Sequence, residues 1–497
     1  MCCNCSRRAK FIWAWTCSIV ISVMAIALGL IWLLVVRKEI EKEFVLQPGT
    51  KVYDSWLAPP IDMYLELYAW NWTNAEDYQS EGYKPELVEL GPYTFLEKHE
   101  RVNLQWNDDS TVSFQQKRTW HFVPELSKGD FENDKVVTIN PIVLTIGYSL
   151  IAAQKEELLE FMNGLINFNP DKISSPFYNV PVKDILFDGY EDAFLTALLE
   201  LVEIVPGLEN EIEIPPFDKF GWFYGRNGSE TYDGNFTIGT GLDSLANLGI
   251  MRLWNGENRT DYFRDDCGLV RGTTGELWPA FQYRDWEAYD ATVFSTDICS
   301  TMSLKYGGKY SLHGVDGYQW IGNYEAFDNG HIYESSTCQC TAAEEECPVL
   351  APGALDVSRC NMGAPATVSY PHFYLGDVSY RKAFNGSMKP NKADHEFILA
   401  LEPLTGIPLT VKAQLQVNLM VKQYGFDLFK DIPEMMLPVI WFRQRAELSE
   451  DMASDLKLLI IVYNNGVYLA IALGVLGFIA LAVTTYYTCK LRTMQSA

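Results

Sequence analysis

The sequence predicts a mainly β protein with one helical insertion, held outside a membrane between two membrane-spanning helices. Three observations predict it. Segments that alternate apolar with polar residues dominate the middle of the chain, an uncharged apolar run lies near each end, and six of the eleven cysteines fall between Cys267 and Cys360.

The N-terminal tail, residues 1–10, reads MCCNCSRRAK. Cysteines beside a membrane helix and basic residues are candidates for reversible acylation. Cys2, Cys3, Cys5 and, at the other end, Cys489 qualify by position. The alternative is free cytosolic thiols.

From Phe11 to Val36 no residue is charged. That run exceeds the roughly 20 residues a spanning helix needs. It is also longer than a signal-peptide core of roughly 7–15 residues, and no small-residue cleavage site follows, so it is read as an uncleaved transmembrane helix over residues 11–36. Glycine and alanine recur four apart here (Ala25, Gly29) and in a second expected helix at 458–489 (Gly466, Ala470, Gly474). Small residues at that spacing let helices approach closely, pairing either the two helices or two molecules into a homo-oligomer.

The ectodomain is expected over residues 37–457. Val112–Trp120 and Thr410–Val421 alternate apolar with polar residues, as strands with one buried face do. Gly-Pro, Asn-Gly and Asp-Gly pairs punctuate such segments as turns. Residues 141–208 differ, because Tyr148–Met162 has the period of an amphipathic helix. Five Asn-x-Ser/Thr sites, Asn71, Asn227, Asn235, Asn258 and Asn385, are candidate glycosylation sites on surface loops. Asn4 fits the pattern but falls on the expected cytoplasmic side.

The cysteines Cys267, Cys299, Cys338, Cys340, Cys347 and Cys360 form an even set in one segment, which reads as a disulfide framework with fifteen possible pairings. Such frameworks persist in oxidising compartments, so the segment faces the lumen or the exterior. A second uncharged run, Val467–Tyr487, lies within an expected second helix and interface at 458–489, before a tail at 490–497. Basic residues at both extremes place both termini in the cytoplasm. Arg37 and Lys38 weaken that rule, although Glu39, Glu41 and Glu43 lie beside them. The tail carries no acidic-dileucine or tyrosine-based sorting signal, which points to the plasma membrane.

The formal net charge of −25 excludes a nucleic-acid binder, which needs basic patches for phosphates. Enzyme signatures are missing too. The six histidines, His99, His121, His313, His331, His372 and His395, form no His-Glu-x-x-His pair. There is no Gly-x-Ser-x-Gly elbow. Gly239-Thr-Gly241 lacks the third glycine of a dinucleotide loop and reads as a turn, and His372 reads as a hydrogen-bonded core residue. No cofactor, metal or catalytic residue is expected.

Taken in order, Pro48-Gly49-Thr50, Gly91-Pro92-Tyr93-Thr94-Phe95, Asp297-Ile298-Cys299, Cys338-Gln339-Cys340, Leu355-Asp356-Val357-Ser358-Arg359-Cys360, Pro371-His372-Phe373, Glu402-Pro403-Leu404-Thr405-Gly406 and Leu415-Gln416-Val417-Asn418-Leu419 run nearly end to end between the two apolar runs. With that ordered set the chain resembles the class B scavenger receptors, the family of fatty-acid translocase and lysosomal integral membrane protein. Its cysteine-rich N-terminus is similar to that of the insect croquemort-like branch.

The resemblance implies a large antiparallel β-barrel ectodomain with a hydrophobic tunnel and an apical helical bundle. It implies one disulfide pairing: Cys267 with Cys338, Cys299 with Cys360, and Cys340 with Cys347. It also implies ligands, namely fatty acids, sterols, phospholipids, lipoproteins or apoptotic cells, taken up or passed to the bilayer. Burying each methylene contributes about 0.8 kcal/mol, so an apolar tunnel retains a long acyl chain. The family's apical lysine, which meets a fatty-acid carboxylate, corresponds most nearly to Lys172.

One departure stands out. The insertion carries Glu156, Glu157, Glu160, Asp171, Asp184, Asp188, Glu191 and Asp192 against Lys155, Lys172 and Lys183. Such an excess repels polyanionic particles within a screening length of about 8–10 Å. Neutral lipids, a protein partner or cationic surfaces are the better expectation. The rival functions are a docking receptor for a protein partner and a sensory lipid or pheromone co-receptor.

Overall fold

The structure, a computed structural model, describes residues 7–168, 175–205, 208, 217–282, 284–361 and 363–496. Its strands are Met63–Trp72 (β1), Leu87–Trp106 (β2), Thr111–Phe122 (β3), Lys135–Ile139 (β4), Phe177–Pro181 (β5), Asn235–Gly239 (β6), Met251–Trp254 (β7), Ala291–Ser295 (β8), Ser300–Leu312 (β9), Val315–Ile321 (β10), Leu355–Asp356 (β11), Ala366–Ser369 (β12), Ile398–Leu401 (β13), Pro408–Val421 (β14) and Met435–Glu447 (β15). The helices are Arg7–Ile31 (α1), Arg37–Lys42 (α2), Lys51–Leu57 (α3), Pro141–Ala152 (α4), Glu156–Phe168 (α5), Ala193–Ile204 (α6), Val378–Lys382 (α7), Lys392–His395 (α8) and Glu450–Ser496 (α9).

The chain divides into two compact units. The smaller holds residues 1–53, 313–315 and 449–497. In it α1 continues through a π-helical turn, Trp32–Val36, into α2, and α1 packs along α9. Among the described residues one helix, Glu450–Tyr487, is long and apolar enough to cross a membrane, while the apolar stretch of α1, Trp15–Gly29, is shorter. The small residues of α9 serve this packing inside one chain. Gly466 lies under the Trp32 ring, and a side chain at Gly477 would meet Ser22 Oγ at 2.6 Å. At one end of the pair Arg37 Nε donates to the Tyr463 carbonyl at 3.1 Å, and Tyr463 donates to Glu41 at 2.6 Å. Arg37 therefore has its partners within the helix pair.

The larger unit, residues 54–312 and 316–448, is built on antiparallel sheet. The sheet order is β7-β6-β3-β2-β1-β15-β14-β13-β10-β9-β8, with β12 also paired to β14 and β11 to β12. It curls into a nearly closed barrel, and the gap between its two ends is bridged by one residue. Met251 N–H donates to Gly272 O (2.8 Å), Thr273 N–H to Thr292 O (3.0 Å), and Phe294 N–H to Thr273 O (2.8 Å). Thr273 thus joins β7 to β8. Gly272 turns the chain into this seam at φ +80°, with the Thr292 carbonyl 2.5 Å from where a side chain would start.

The two alternating segments form β3 and β14, but the expectation of one buried face needs correction for β14. Val411, Ala413 and Leu415 face the barrel interior, and the opposite face is covered too. Gln414, Gln416 and Asn418 are fully buried there. Gln414 bonds Glu396 O and Arg443, while Gln416 and Asn418 bond Ser369. Buried amides are tolerated because each finds partners.

The helical insertion holds α4, α5 and α6, and also β5, which pairs with β4. The helix read across Tyr148–Met162 is two helices. Ala153 caps α4, Gln154 adopts φ 57°, and Lys155 N–H closes back on Leu150 O at 2.9 Å before α5 begins. The break lets Leu150 and, one helix later, Leu159, Met162 and Ile166 all reach the core. Asp192, read as part of an acidic surface, is instead buried, accepting the Leu195 N–H at 2.7 Å as the N-cap of α6.

Three disulfides join Cys267 to Cys338, Cys299 to Cys360 and Cys340 to Cys347.

Candidate functional site

Inside the barrel lies a cavity of about 150 Å³. Strand alternation decides which residues reach it. On β14 these are Val411, Ala413 and Leu415, which pair across to Ala446, Gln444 and Phe442 of β15. Leu399 of β13, Met302 of β9, Phe294 of β8 and Phe236 of β6 continue the apolar lining.

The opposite wall is ionic. Successive inward positions of β2 are Glu97, His99 and Arg101, and His99 pairs across to Arg118 of β3. Glu276, three residues past the seam, reaches over to this face. His99 Nε2 lies 2.6 Å from Glu97 and its Nδ1 2.6 Å from Glu276, which also pairs with Arg101. Arg118 is 3.0 Å from Asp233 and 3.9 Å from Glu97. Arg226 completes the wall, at 2.8 Å from both Asp233 and Asp297. Arg101 also lies over the Trp56 ring, 5.6 Å from its centre. His99, Arg118, Glu276 and Asp297 line the cavity directly.

Burial sets the protonation of this wall. It pushes the His99 imidazolium down to about 4, against the pull of Glu97. Burial would raise Glu97, but His99 and Arg118 outweigh it and hold its carboxyl down to about 2. Asp233 is likewise lowered, since Arg118 and Arg226 overcome its desolvation. The wall thus brings three arginines against four acidic residues through these ion pairs, while Arg101 Nε and Nη1 make no hydrogen bond.

A second polar cluster braces β15 on its far side. Glu89 accepts from His372 Nε2 (2.7 Å) and Trp441 Nε1 (2.8 Å). His372 Nδ1 accepts the Lys389 N–H at 3.2 Å, so the ring is the Nε2–H tautomer. It stacks on His395 at 4.2 Å, whose Nδ1 accepts the Asn391 N–H. Burial and the neighbouring His372 push His395 down to about 4. These are structural roles, as expected for His372.

The remaining residues singled out in the sequence are dispersed. Lys172 and Cys2, Cys3 and Cys5 lie outside the described residues, as does the side chain of Cys489. Asn227, Asn235, Asn258 and Asn385 are exposed, and Asn71 is half-buried on β1, its side-chain Oδ1 accepting the Val137 N–H. Lys183 is tied to Glu132 at 3.1 Å and Asp188 at 3.6 Å. Among the described residues no group of His, Cys, Asp or Glu could hold a metal ion. Sequence reasoning missed the ionic wall. Its signal was present in β2, where Glu97, His99 and Arg101 occupy alternate positions that an ordinary barrel strand gives to apolar residues.

Comparison with known proteins adds the wider context. The family model described as "CD36 family" matches residues 16–488. Human lysosome membrane protein 2 is 32% identical over 491 residues, covering 97% of this chain and 96% of the relative. Protein peste of Drosophila melanogaster is 30% identical over 456 residues, or 90% and 77% of the two chains. Mouse scavenger receptor class B member 1 is 29% identical over 479 residues, or 94% and 88%.

Proposed function

The chain belongs to the CD36 family, and on that premise we propose that it is a cell-surface scavenger receptor that binds lipids or lipid-bearing particles, apoptotic cells included. It mediates their uptake, or lipid transfer, through a tunnel in the ectodomain. The observation that carries the reading is the apolar cavity inside the barrel, lined by Phe236, Phe294, Met302, Leu399, Leu415 and Phe442. A cavity near 150 Å³ is of the size that holds a benzene-like guest. It therefore takes a segment of a lipid, and a longer passage forms as the walls part. Each methylene that enters contributes about 0.8 kcal/mol.

In this reading α1 and α9 both cross the plasma membrane, with the termini cytoplasmic and the barrel outside. Five glycans at Asn71, Asn227, Asn235, Asn258 and Asn385 and acyl groups on Cys2, Cys3, Cys5 and Cys489 complete it. Fatty acids, sterols, phospholipids and lipoproteins are the ligand classes, and Lys172 is the proposed contact for an acyl carboxylate at the entrance. The test is binding of labelled lipids to the full chain, before and after Ala413→Trp fills the cavity. Binding that Ala413→Trp abolishes supports the tunnel; binding that survives unchanged removes it.

One observation favours a second reading, docking of a protein partner. The helical insertion exposes Ile151, Phe161 and Ile204, the last with 75% of its surface in water, and α5 also exposes Glu156, Glu157 and Glu160. Particle capture lost on Phe161→Ser and Ile204→Ser, with lipid binding intact, assigns capture to this surface.

A further inference from the structure

One hairpin of the larger unit continues well past the strand beside it. β2 leaves its pairing with β1 at Glu97, opposite Met63, and Met63 pairs in turn with Ala446 of β15. Residues 98–106 carry on with β3, and the chain turns at residues 107–110. Those nine residues span about 25–30 Å, or about 20 Å along the axis once the tilt of barrel strands is allowed for. β6 pairs with the start of β3, and its end is pinned to the hairpin, where the Thr240 N–H and hydroxyl donate to the Ser110 carbonyl at 2.9 and 2.8 Å. Here two apolar side chains face water, Trp106 at 39% and Leu242 at 52% exposure.

The direction of the strands says what covers them. Antiparallel pairing along the sheet makes β2, β15 and β9 run in one sense. It is the sense in which β15 ends and the chain enters α9, and in which β9 runs to the turn His313–Val315 of the helical unit. At that turn His313 Nδ1 lies 3.6 Å from Glu450, and a side chain at Gly314 would meet Lys457 Nζ at 2.9 Å. Lys457 is the last charged residue before the uncharged stretch of α9 begins at Leu458. Glu450 to Leu458 is nine residues of helix, about 14 Å, so the hairpin is long enough to reach the plane where α9 becomes apolar. Charge narrows the surface further. Asp108, Asp109 and Asp243 are exposed beside Trp106 and Leu242, and residues 102–112 and 239–247 contain no lysine or arginine. Tryptophan favours the headgroup level of a bilayer, and the three carboxylates repel an anionic surface within a screening length.

We propose that the β2–β3 hairpin is a membrane contact of the ectodomain, with Trp106 and Leu242 inserted among the headgroups of a zwitterionic, phosphatidylcholine-rich leaflet. The proposal rests on the reading that α9 crosses the membrane. It adds an attachment point on the barrel itself, which limits swivelling of the barrel about the helix.

The test uses the full chain reconstituted in phosphatidylcholine vesicles with two photoactivatable phosphatidylcholines, one carrying its diazirine beside the headgroup and one at the acyl terminus. Labelled peptides are mapped by mass spectrometry. The shallow probe should label residues 102–112 and 240–247, and the deep probe the apolar stretch of α9. Trp106→Ser with Leu242→Ser should cut hairpin labelling at least about fivefold, the ratio that about 1 kcal/mol of lost burial gives, while labelling of α9 stays as in the parent. Leu242→Ser alone should lower it by less and guards against misfolding of the double variant. Adding phosphatidylserine to the vesicles should reduce hairpin labelling, and Asp108→Asn with Asp243→Asn should restore it. A labelled α9 beside an unlabelled hairpin overturns the proposal and leaves the spanning helix standing. An α9 that the deep probe does not reach removes both. Hairpin labelling unchanged in the double variant takes the contact away from Trp106 and Leu242, and labelling that rises with phosphatidylserine overturns the zwitterionic preference.

Discussion

Replacing Asp233 by Ala should destabilise the barrel by more than any ordinary surface change. Its carboxylate is 3% exposed and sits between Arg226 at 2.8 Å and Arg118 at 3.0 Å. Arg226 keeps Asp297, but Arg118 is left with Glu97 at 3.9 Å alone. Removing one partner of a buried ion pair costs about 3–5 kcal/mol, chiefly because the other charge stays buried. The unit spans about 390 residues, and at about 2.1 cal/mol/K per residue its unfolding entropy is near 0.8 kcal/mol/K. The expected loss is therefore about 4–6 °C in melting temperature, read by tryptophan fluorescence of the full chain in detergent at a fixed scan rate. The double change Asp233→Leu with Arg118→Met should cost less than Asp233→Ala, since no guanidinium is stranded and Glu97 keeps its hydrogen bonds to His99 and Gln444. A loss under about 1 °C, or a double variant as unstable as the single, would refute the reasoning.

Lowering the pH should weaken the same unit. His99 and His395 are both pushed down to about 4 from 6.5, so the unfolded chain takes up the proton first. Their contribution is whole above pH 6.5 and is lost as pH falls towards 4. The melting temperature should drop across that window, and His395→Gln should flatten the slope; an identical slope in the variant rules His395 out. In the helix pair, Ser22→Cys with Gly477→Cys should cross-link within one chain under mild oxidation, while Gly466→Leu should abolish the link by colliding with Trp32. Cross-linked dimers in place of an intramolecular bond would show that the small-residue face joins two molecules. Each of Asn71, Asn227, Asn235, Asn258 and Asn385 changed to Gln should remove one glycosidase-sensitive step on a gel, and a variant migrating as the parent excludes that site.

Much of the architecture was legible from the sequence because it follows from periodicity. The alternation in Val112–Trp120 and Thr410–Val421 marks β3 and β14, and the period of three to four marks α4 and α5. What periodicity could not supply is what covers a strand from outside. Gln414, Gln416 and Asn418 read as a solvent face, and only the covering segment with Ser369 and Glu396 buries them. The break at Gln154 was hidden because apolar spacing continues through it. The cysteine pairing came from resemblance, since spacing alone left every combination open. The ionic wall is non-local: Glu97, Asp233, Glu276 and Asp297 are scattered over two hundred residues. Only closure of the sheet brings them together.

That closure hangs on Thr273. Open edges are where β proteins recruit one another, strand by strand. In this barrel β7 and β8 would be such edges, and a single residue with three backbone hydrogen bonds in its neighbourhood keeps each from a stranger. The segment that carries it leaves Cys267, which is tied to Cys338. A nascent chain in which that tether has not formed presents two unsatisfied strand ends. The failure to be expected of such a chain is pairing of those edges between molecules, strand against strand.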